Sequence, residues 1–163
     1  MTKLCVALLA ALALAACGED DSGTKTTTVV ETTTAMTQTE TIEETTAAEP
    51  KQYEFFQSPS KNIGCAATDG EVRCDIKQHT WKAPAKPAGC ELDYGNGLAI
   101  EAGSTAGFVC AGDTTLNNGN VLEYGEVNKV GLISCKSTEA GMTCVDDETG
   151  RGFFLAREKY QIL

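Results

Sequence analysis

Cysteine is the side chain whose spacing carries the most chemical information in this sequence. Six of the eight Cys lie between positions 65 and 144. They are Cys65, Cys74, Cys90, Cys110, Cys135 and Cys144. An even number of cysteines indicates a disulfide framework if the chain is exported, which the N-terminal sequence described below predicts, although six of them allow 15 pairings. Cysteines separated by eight residues lack the spacing of metal ligands, and His79 is the only histidine. We therefore expect disulfides and neither a metal nor a cofactor.

Acid–base and nucleophilic chemistry has little support in the sequence. Hydrolases of the Ser/His/Asp or Cys/His type need a base next to the nucleophile, and His79 is predicted to lie at the end of a surface strand. The acidic run 146–148 lacks the spacing of an EF-hand loop and is interpreted as a solvated turn. Fifteen acidic residues from position 51 onward leave one enzymatic alternative open, a carboxylate-dependent hydrolase acting on wall polymers.

The spacing of Cys65 and Cys74 predicts one disulfide directly. Asp69 and Gly70, midway between them, are a strong signal for a two-residue hairpin with a type I′ turn, which needs positive φ at both residues. Counting back from that turn places the two cysteines opposite each other as a non-hydrogen-bonded pair, with Cα atoms about 4.5 Å apart. A disulfide can span this separation.

The same spacing returns seventy residues later at Cys135 and Cys144. We interpret the two segments as similar stapled hairpins from an old duplication, and chance similarity is the alternative. The second turn, at positions 138–141, is a weaker signal. A three-residue loop with its Gly in a bulge is an alternative there that shifts the register by one. Cys90 and Cys110 are then left to each other.

Short strands are the elements expected to hold these cysteines. Apolar runs such as 121–124 and 153–156 alternate with turns that contain Gly, and fourteen Gly and four Pro occur from position 50 onward. Helix-length periodic stretches are few, so we expect eight to ten short strands. The sequence therefore predicts an all-β fold: a small, disulfide-stapled, antiparallel sandwich or barrel-like domain over residues 51–163.

The N-terminus has the pattern of a lipoprotein export signal. Lys3 precedes an apolar stretch of 13 residues, which is too short to span a bilayer and matches a secretory signal. The next residues, Leu-Ala-Ala-Cys-Gly, resemble a bacterial lipobox, in which the signal is cut before Cys17 and its sulfur carries diacylglycerol. We predict a signal peptide at 1–16 and a protein anchored in the cell membrane through the lipid on Cys17, facing the extracytoplasmic side. An ordinary export signal that ends in Cys is the alternative.

Residues 17–50 are predicted to form a disordered, Thr-rich linker. Twelve Thr, eight acidic residues, one Lys and no aromatic residue occur there, so the segment cannot bury enough apolar area to offset the cost of ordering. Its Thr runs would also suit O-glycosylation, and a plain spacer is the simpler interpretation. The formal charge of −10 for the whole chain disfavours nucleic acid as a partner.

Function is expected to lie in the domain that follows the linker. Amphipathic aromatic residues and the polar loops 112–120 and 146–152 supply the candidate contacts. These candidate binding residues are Trp81, Asp113, Asn117, Tyr124, Asp147 and Arg151. We predict a non-catalytic extracytoplasmic module that binds an envelope protein, a peptide or a glycan. The alternatives are the hydrolase described above and a structural or shielding surface lipoprotein.

Several motifs, in this order, resemble a family. They are Phe56–Cys65 (FQSPSKNIGC), Val72–Ile76 (VRCDI), Gly112–Thr114 (GDT), Val121–Gly125 (VLEYG), Gly141–Cys144 (GMTC) and Thr149–Arg157 (TGRGFFLAR). Together they resemble a domain of unknown function found in exported actinobacterial lipoproteins and secreted proteins, although His would be expected where Arg151 stands. The resemblance implies an extracytoplasmic, disulfide-bonded domain. It implies no activity, substrate or catalytic residue.

Overall fold

The computed structural model of the protein describes residues 48–163. The predicted signal peptide, the lipidation site at Cys17 and all but the last three residues of the predicted linker lie outside this range. Within it, no helix is long and apolar enough to cross a membrane.

Residues 48–163 form eleven strands and no helix, which confirms the predicted all-β class. The strands are β1 (Phe55–Gln57), β2 (Ile63–Ala67), β3 (Glu71–Ile76), β4 (Asp93–Glu101), β5 (Gly107–Ala111), β6 (Asn120–Val121), β7 (Val127–Val130), β8 (Ile133–Thr138), β9 (Gly141–Asp146), β10 (Gly152–Leu155) and β11 (Tyr160–Ile162). One sheet has the order β5-β4-β3-β2-β1-β6, and the second has the order β11-β10-β9-β8-β7.

The two sheets pack face to face as a sandwich because the strands alternate between apolar and polar positions. Val72, Cys74 and Ile76 of β3 are at most 2% exposed, whereas Arg73 between them points to the outer face. Apolar side chains of the other sheet join the same core. Examples from that sheet are Ile133, Met142, Phe153 and Leu155.

Two pairings depart from the predicted antiparallel pattern. β6 runs parallel to β1, and Lys51 forms a parallel bridge to Asn128 of β7. The chain reaches β6 from β5, which lies at the opposite edge of the same sheet. It therefore crosses the outer face of the sheet before it pairs with β1.

The first stapled hairpin has the predicted register but not the predicted turn. Cys65 pairs with Cys74 across β2 and β3, their Cα atoms are 4.0 Å apart, and they form a disulfide. Asp69 and Gly70 form the two-residue turn, yet neither has a positive φ, so the type I′ prediction is wrong. The Gly70 carbonyl accepts a hydrogen bond from the Ala102 amide at 2.9 Å. We attribute the turn conformation to this tertiary contact.

The second hairpin repeats the first without a shift in register. Thr138 pairs with Gly141, and Cys135 pairs with Cys144 across β8 and β9 with a Cα–Cα distance of 4.0 Å. The loop between them has two residues, so the alternative with a three-residue loop is wrong. The third predicted disulfide, Cys90–Cys110, is also present.

The two hairpin disulfides meet in the centre of the sandwich. Cys74 Sγ of one sheet lies 3.8 Å from Cys144 Sγ of the other. Both sulfurs are already bonded within their own hairpins, so this is a van der Waals contact. All four cysteines are at most 1% exposed. The two disulfides therefore link the strands of each hairpin covalently and also form part of the hydrophobic core.

Candidate functional site

Residues 112–119 (the strap) cross the outer face of the six-stranded sheet between β5 and β6. Thr115 is 7% exposed and fixes the strap to the sheet. Its hydroxyl donates a hydrogen bond to the Gly64 carbonyl at 2.6 Å and accepts one from the Asp75 amide at 3.2 Å. Gly64 permits this close approach, because a Cβ there would lie 2.5 Å from the Thr115 carbonyl oxygen. The polar loop expected to bind a partner is thus fastened to the sheet.

Arg73 links the strap to β3 by binding two carboxylates, that of Asp75 in β3 and that of Asp113 in the strap. Its Nε and Nη2 donate to the two oxygens of Asp75 at 3.0 and 2.8 Å, and its Nη1 donates to Asp113 Oδ1 at 2.7 Å. Burial alone would lower the pKa of Arg73, but the hydrogen bonds to Asp75 and Asp113 offset it, so the pKa is raised. The hydrogen bond from Arg73 lowers the pKa of Asp113. Asp113 is therefore poorly suited to act as a general acid, which requires a raised pKa.

Trp81 belongs to an aromatic cluster (the aromatic plug). Its five members are His79, Trp81, Tyr94, Phe108 and Tyr160, each of them half-buried. The His79 ring stacks on Trp81 with centroids 3.7 Å apart, and the Trp81 Nε1 donates to the Ala156 carbonyl at 2.7 Å. The Trp81 ring is thus engaged by neighbouring rings, and it packs against the core. The plug joins residues of β4, β5 and β11.

Asp147 and Arg151 lie in the β9–β10 loop, away from the plug. Asp147 pairs with Lys129 and accepts from the Ser134 hydroxyl at 2.9 Å. The neighbouring Asp146 is 1% exposed, and its carboxylate accepts from the Gly103 amide at 2.6 Å. This hydrogen bond, followed by one from the Glu148 amide, lowers the pKa of Asp146. Asp146 therefore ties the five-stranded sheet to the β4–β5 turn of the other sheet.

Asn117 and Tyr124 line one cleft of about 550 Å³ (the loop-end cleft). Loops of both sheets contribute to it at one end of the sandwich. They are the β1–β2 loop, the segment after β3, the end of the strap, the β6–β7 loop, the β8–β9 turn and the β10–β11 turn. Its lining is mostly polar, and Tyr124 is 43% exposed. The cleft is open and polar, and its lining residues come from loops carried by both sheets, where contact residues are commonly found.

The β1–β2 loop is held rigidly at this cleft. The buried Ser58 hydroxyl accepts from the Ile63 amide at 3.2 Å. The Asn62 side chain makes two hydrogen bonds of 3.0 Å to the backbone of Gln78. Between these ties, Lys61 adopts a left-handed conformation with φ of 57°. An L-residue in this region costs about 1–2 kcal/mol, so the surrounding hydrogen bonds must impose it.

A second residue that lines this cleft also has a left-handed backbone conformation. Asn117, at the end of the strap, has φ of 59°. It and Lys61 are the two non-glycine residues with positive φ in residues 48–163, and both line the loop-end cleft. Asn adopts this conformation readily, whereas Lys rarely does, so the strain lies at Lys61. Strained backbone is enriched at functional sites.

Comparison with known proteins places the chain in a family. The sequence profile of a family of unknown function, DUF6636, matches residues 41–163. The chain belongs to DUF6636. No curated protein and no solved structure matches it. The DUF6636 match begins before the predicted domain start at position 51, and it assigns no activity.

The predicted binding residues are spread over this DUF6636 domain. Only Asn117 and Tyr124 share the loop-end cleft, whereas Trp81 lies in the aromatic plug, Asp113 in the strap, and Asp147 and Arg151 in the β9–β10 loop. Lys61 is a cleft residue that was not predicted, although its Pro-Ser-Lys-Asn loop carries a turn signal between two strands. No group of three or more His, Cys, Asp or Glu that could hold a metal is found in residues 48–163.

Proposed function

We propose that the protein is a membrane-anchored envelope lipoprotein whose folded part is a non-catalytic binding module, and that the loop-end cleft is its binding site. The observation that carries the proposal is the coincidence of the left-handed residues Lys61 and Asn117 with one cleft. The hydrogen-bonded β1–β2 loop supports it, because a pre-organised site loses less entropy on binding.

The position of the cleft supports an outward-facing site. Glu49 and Pro50, the last residues before the domain, lie with Asp69 and Gly131 around a separate hollow. β8 begins just after Gly131 and ends at the β8–β9 turn, which lines the loop-end cleft. Six strand residues extend about 20 Å. The cleft therefore faces away from the point where the linker enters, as suits a module that meets its partner beyond the membrane.

The anchor itself is proposed from the sequence. The lipobox-like residues ending at Cys17 follow a short apolar signal, and two or three acyl chains give stable attachment because each buried CH₂ contributes about 0.8 kcal/mol. The linker would then give the module reach without adding binding geometry. The partner classes in this proposal are an envelope protein, a peptide and a glycan.

Filling the cleft tests its role as the binding site. Ala140 is exposed at the tip of the β8–β9 turn and lines the cleft, so Ala140→Trp fills the cleft without entering the core. Ala85→Trp places the same side chain on an exposed loop as a control. Immobilised wild-type protein and both variants are exposed to glycan, peptide and protein fractions of an envelope extract. We expect the wild type and Ala85→Trp to retain one fraction that Ala140→Trp loses, and equal retention by all three proteins would refute the proposal.

A further inference from the structure

We infer that the ligand of the loop-end cleft is a polyanion that carries phosphate or carboxylate groups, an inference that rests on the proposed function of this cleft. Three cationic side chains line it: Lys61, Lys77 and Arg157. All three are exposed, and none of them is within ion-pair distance of a carboxylate in the part of the chain that the structure describes. Their charges are available to a ligand.

The cleft differs in charge from the rest of the molecule. The whole chain has a formal charge of −10, and residues 51–163 contain eleven Lys and Arg against fifteen Asp and Glu. The cleft reverses that balance, because its three cations outnumber its two carboxylates, Glu139 and Glu158. A local excess of positive charge in an acidic protein steers anions to one place and disfavours binding elsewhere on the surface.

The arrangement of the cations indicates an extended ligand. Lys61 projects from the β1–β2 loop, Lys77 follows β3, and Arg157 lies in the β10–β11 turn. Cations from three separate elements can contact successive charges of one polymer, whereas a single small anion would need them around one point. Gln78, Asn117 and Tyr124 add uncharged hydrogen-bonding groups along the same cleft.

The charge of the domain favours a polymer over the surface of the anchoring membrane. Residues 51–163 contain fifteen Asp and Glu against eleven Lys and Arg, so an anionic headgroup layer repels most of the domain surface. A single phosphate- or carboxylate-bearing polymer of the envelope can instead contact the cleft alone and avoid most of this repulsion.

The inference is tested by titrating ¹⁵N-labelled Cys17→Ala protein, which keeps the rest of the chain but has no site for the proposed lipid, with defined probes and following its amide NMR signals. The probes are a polyphosphate oligomer, a polygalacturonate oligomer, a neutral malto-oligosaccharide and vesicles with an anionic lipid. We expect at least one of the two polyanions to shift amides that line the cleft. Lys61→Gln, Lys77→Gln and Arg157→Gln should each weaken binding about two- to fivefold, and the triple variant about tenfold or more. Lys136→Gln, which removes an exposed cation of β8 outside the cleft, should leave the affinity unchanged.

The outcomes distinguish a failure of this inference from a failure of the proposed function. Polyphosphate binding alone and polygalacturonate binding alone both support the inference and identify the anionic group. Cleft shifts with the neutral oligosaccharide but with neither polyanion overturn the inference and leave the cleft as a binding site. Binding to vesicles only, equal weakening by Lys136→Gln, or no cleft shifts with any probe also overturn it. The Ala140→Trp retention experiment then decides the proposed function independently.

Discussion

Replacing Arg73 by Met should destabilise the domain more than any exposed ion pair could. The substitution keeps an apolar stem but leaves the Asp75 carboxylate, which is 7% exposed, with only the Thr115 amide as a donor at 3.0 Å. Removing one partner of a buried pair costs about 3–5 kcal/mol. Because the Arg73 side chain is 17% exposed, water compensates part of the loss, and we expect about 2–4 kcal/mol. At about 4 °C per kcal/mol, the midpoint of thermal unfolding should fall by about 8–16 °C.

A matched control comes from the other carboxylate on the same guanidinium. The Asp113 side chain is 83% exposed, so Asp113→Asn should change the midpoint only slightly. The double variant Arg73→Met/Asp75→Asn also removes the unpaired charge of the Asp75 carboxylate, so it should be more stable than Arg73→Met alone. Urea and thermal unfolding at pH 7, with disulfides intact, measure these three variants and the single variant Asp75→Asn. Equal effects of Arg73→Met and Asp113→Asn, or a double variant whose loss is the sum of the single losses, would refute this reasoning.

Three further predictions follow from other parts of the molecule. Lys61→Gly relieves the left-handed strain of about 1–2 kcal/mol and adds an entropy cost of about 0.5–1 kcal/mol for Gly. Urea unfolding should therefore show a small increase in the free energy of unfolding for Lys61→Gly and no increase for Lys61→Ala. The pKa of Asp146 lies below its ordinary value of 3.8, so its stabilising effect is complete above that value and is lost as the pH falls through the lowered pKa. Asp146→Asn should therefore flatten the acid-side fall of the thermal midpoint, and an unchanged fall contradicts the assignment. Cys17→Ala should release the protein from the membrane fraction or stall its processing, and unchanged membrane association would exclude a lipid on Cys17.

Local chemistry explains which parts of the fold could be predicted from the sequence. The register of Cys65 and Cys74 follows from the two-residue turn between them, and no distant residue is needed to derive it. The same turn lacks the positive φ angles of a type I′ turn and accepts a hydrogen bond from Ala102, a contact that is remote in the sequence and that turn residues alone do not predict. Predictions were reliable where a feature depends on neighbours in the chain.

The loop-end cleft was harder to predict because it is assembled from distant loops. Asp113 lies in a polar segment that is typical of a surface loop. Its ion pair is formed with Arg73, forty residues away in the sequence. The loop-end cleft combines turns from both sheets, and the sequence analysis predicts only Asn117 and Tyr124 of its lining residues as contacts. The left-handed conformation of Lys61 has no sequence signal, because Lys is not a residue that favours positive φ.

The contact between the two hairpin disulfides constrains the order of events during maturation. Each staple joins cysteines only nine positions apart, so each hairpin can oxidise on its own while its sulfurs are still accessible. Once the sheets dock, the same sulfurs are almost completely shielded from solvent, and an oxidoreductase can no longer reach them. We therefore expect oxidation to precede docking. A chain whose sheets docked early would carry four thiols in its centre, and reopening the sandwich would be its only route to the native bonds.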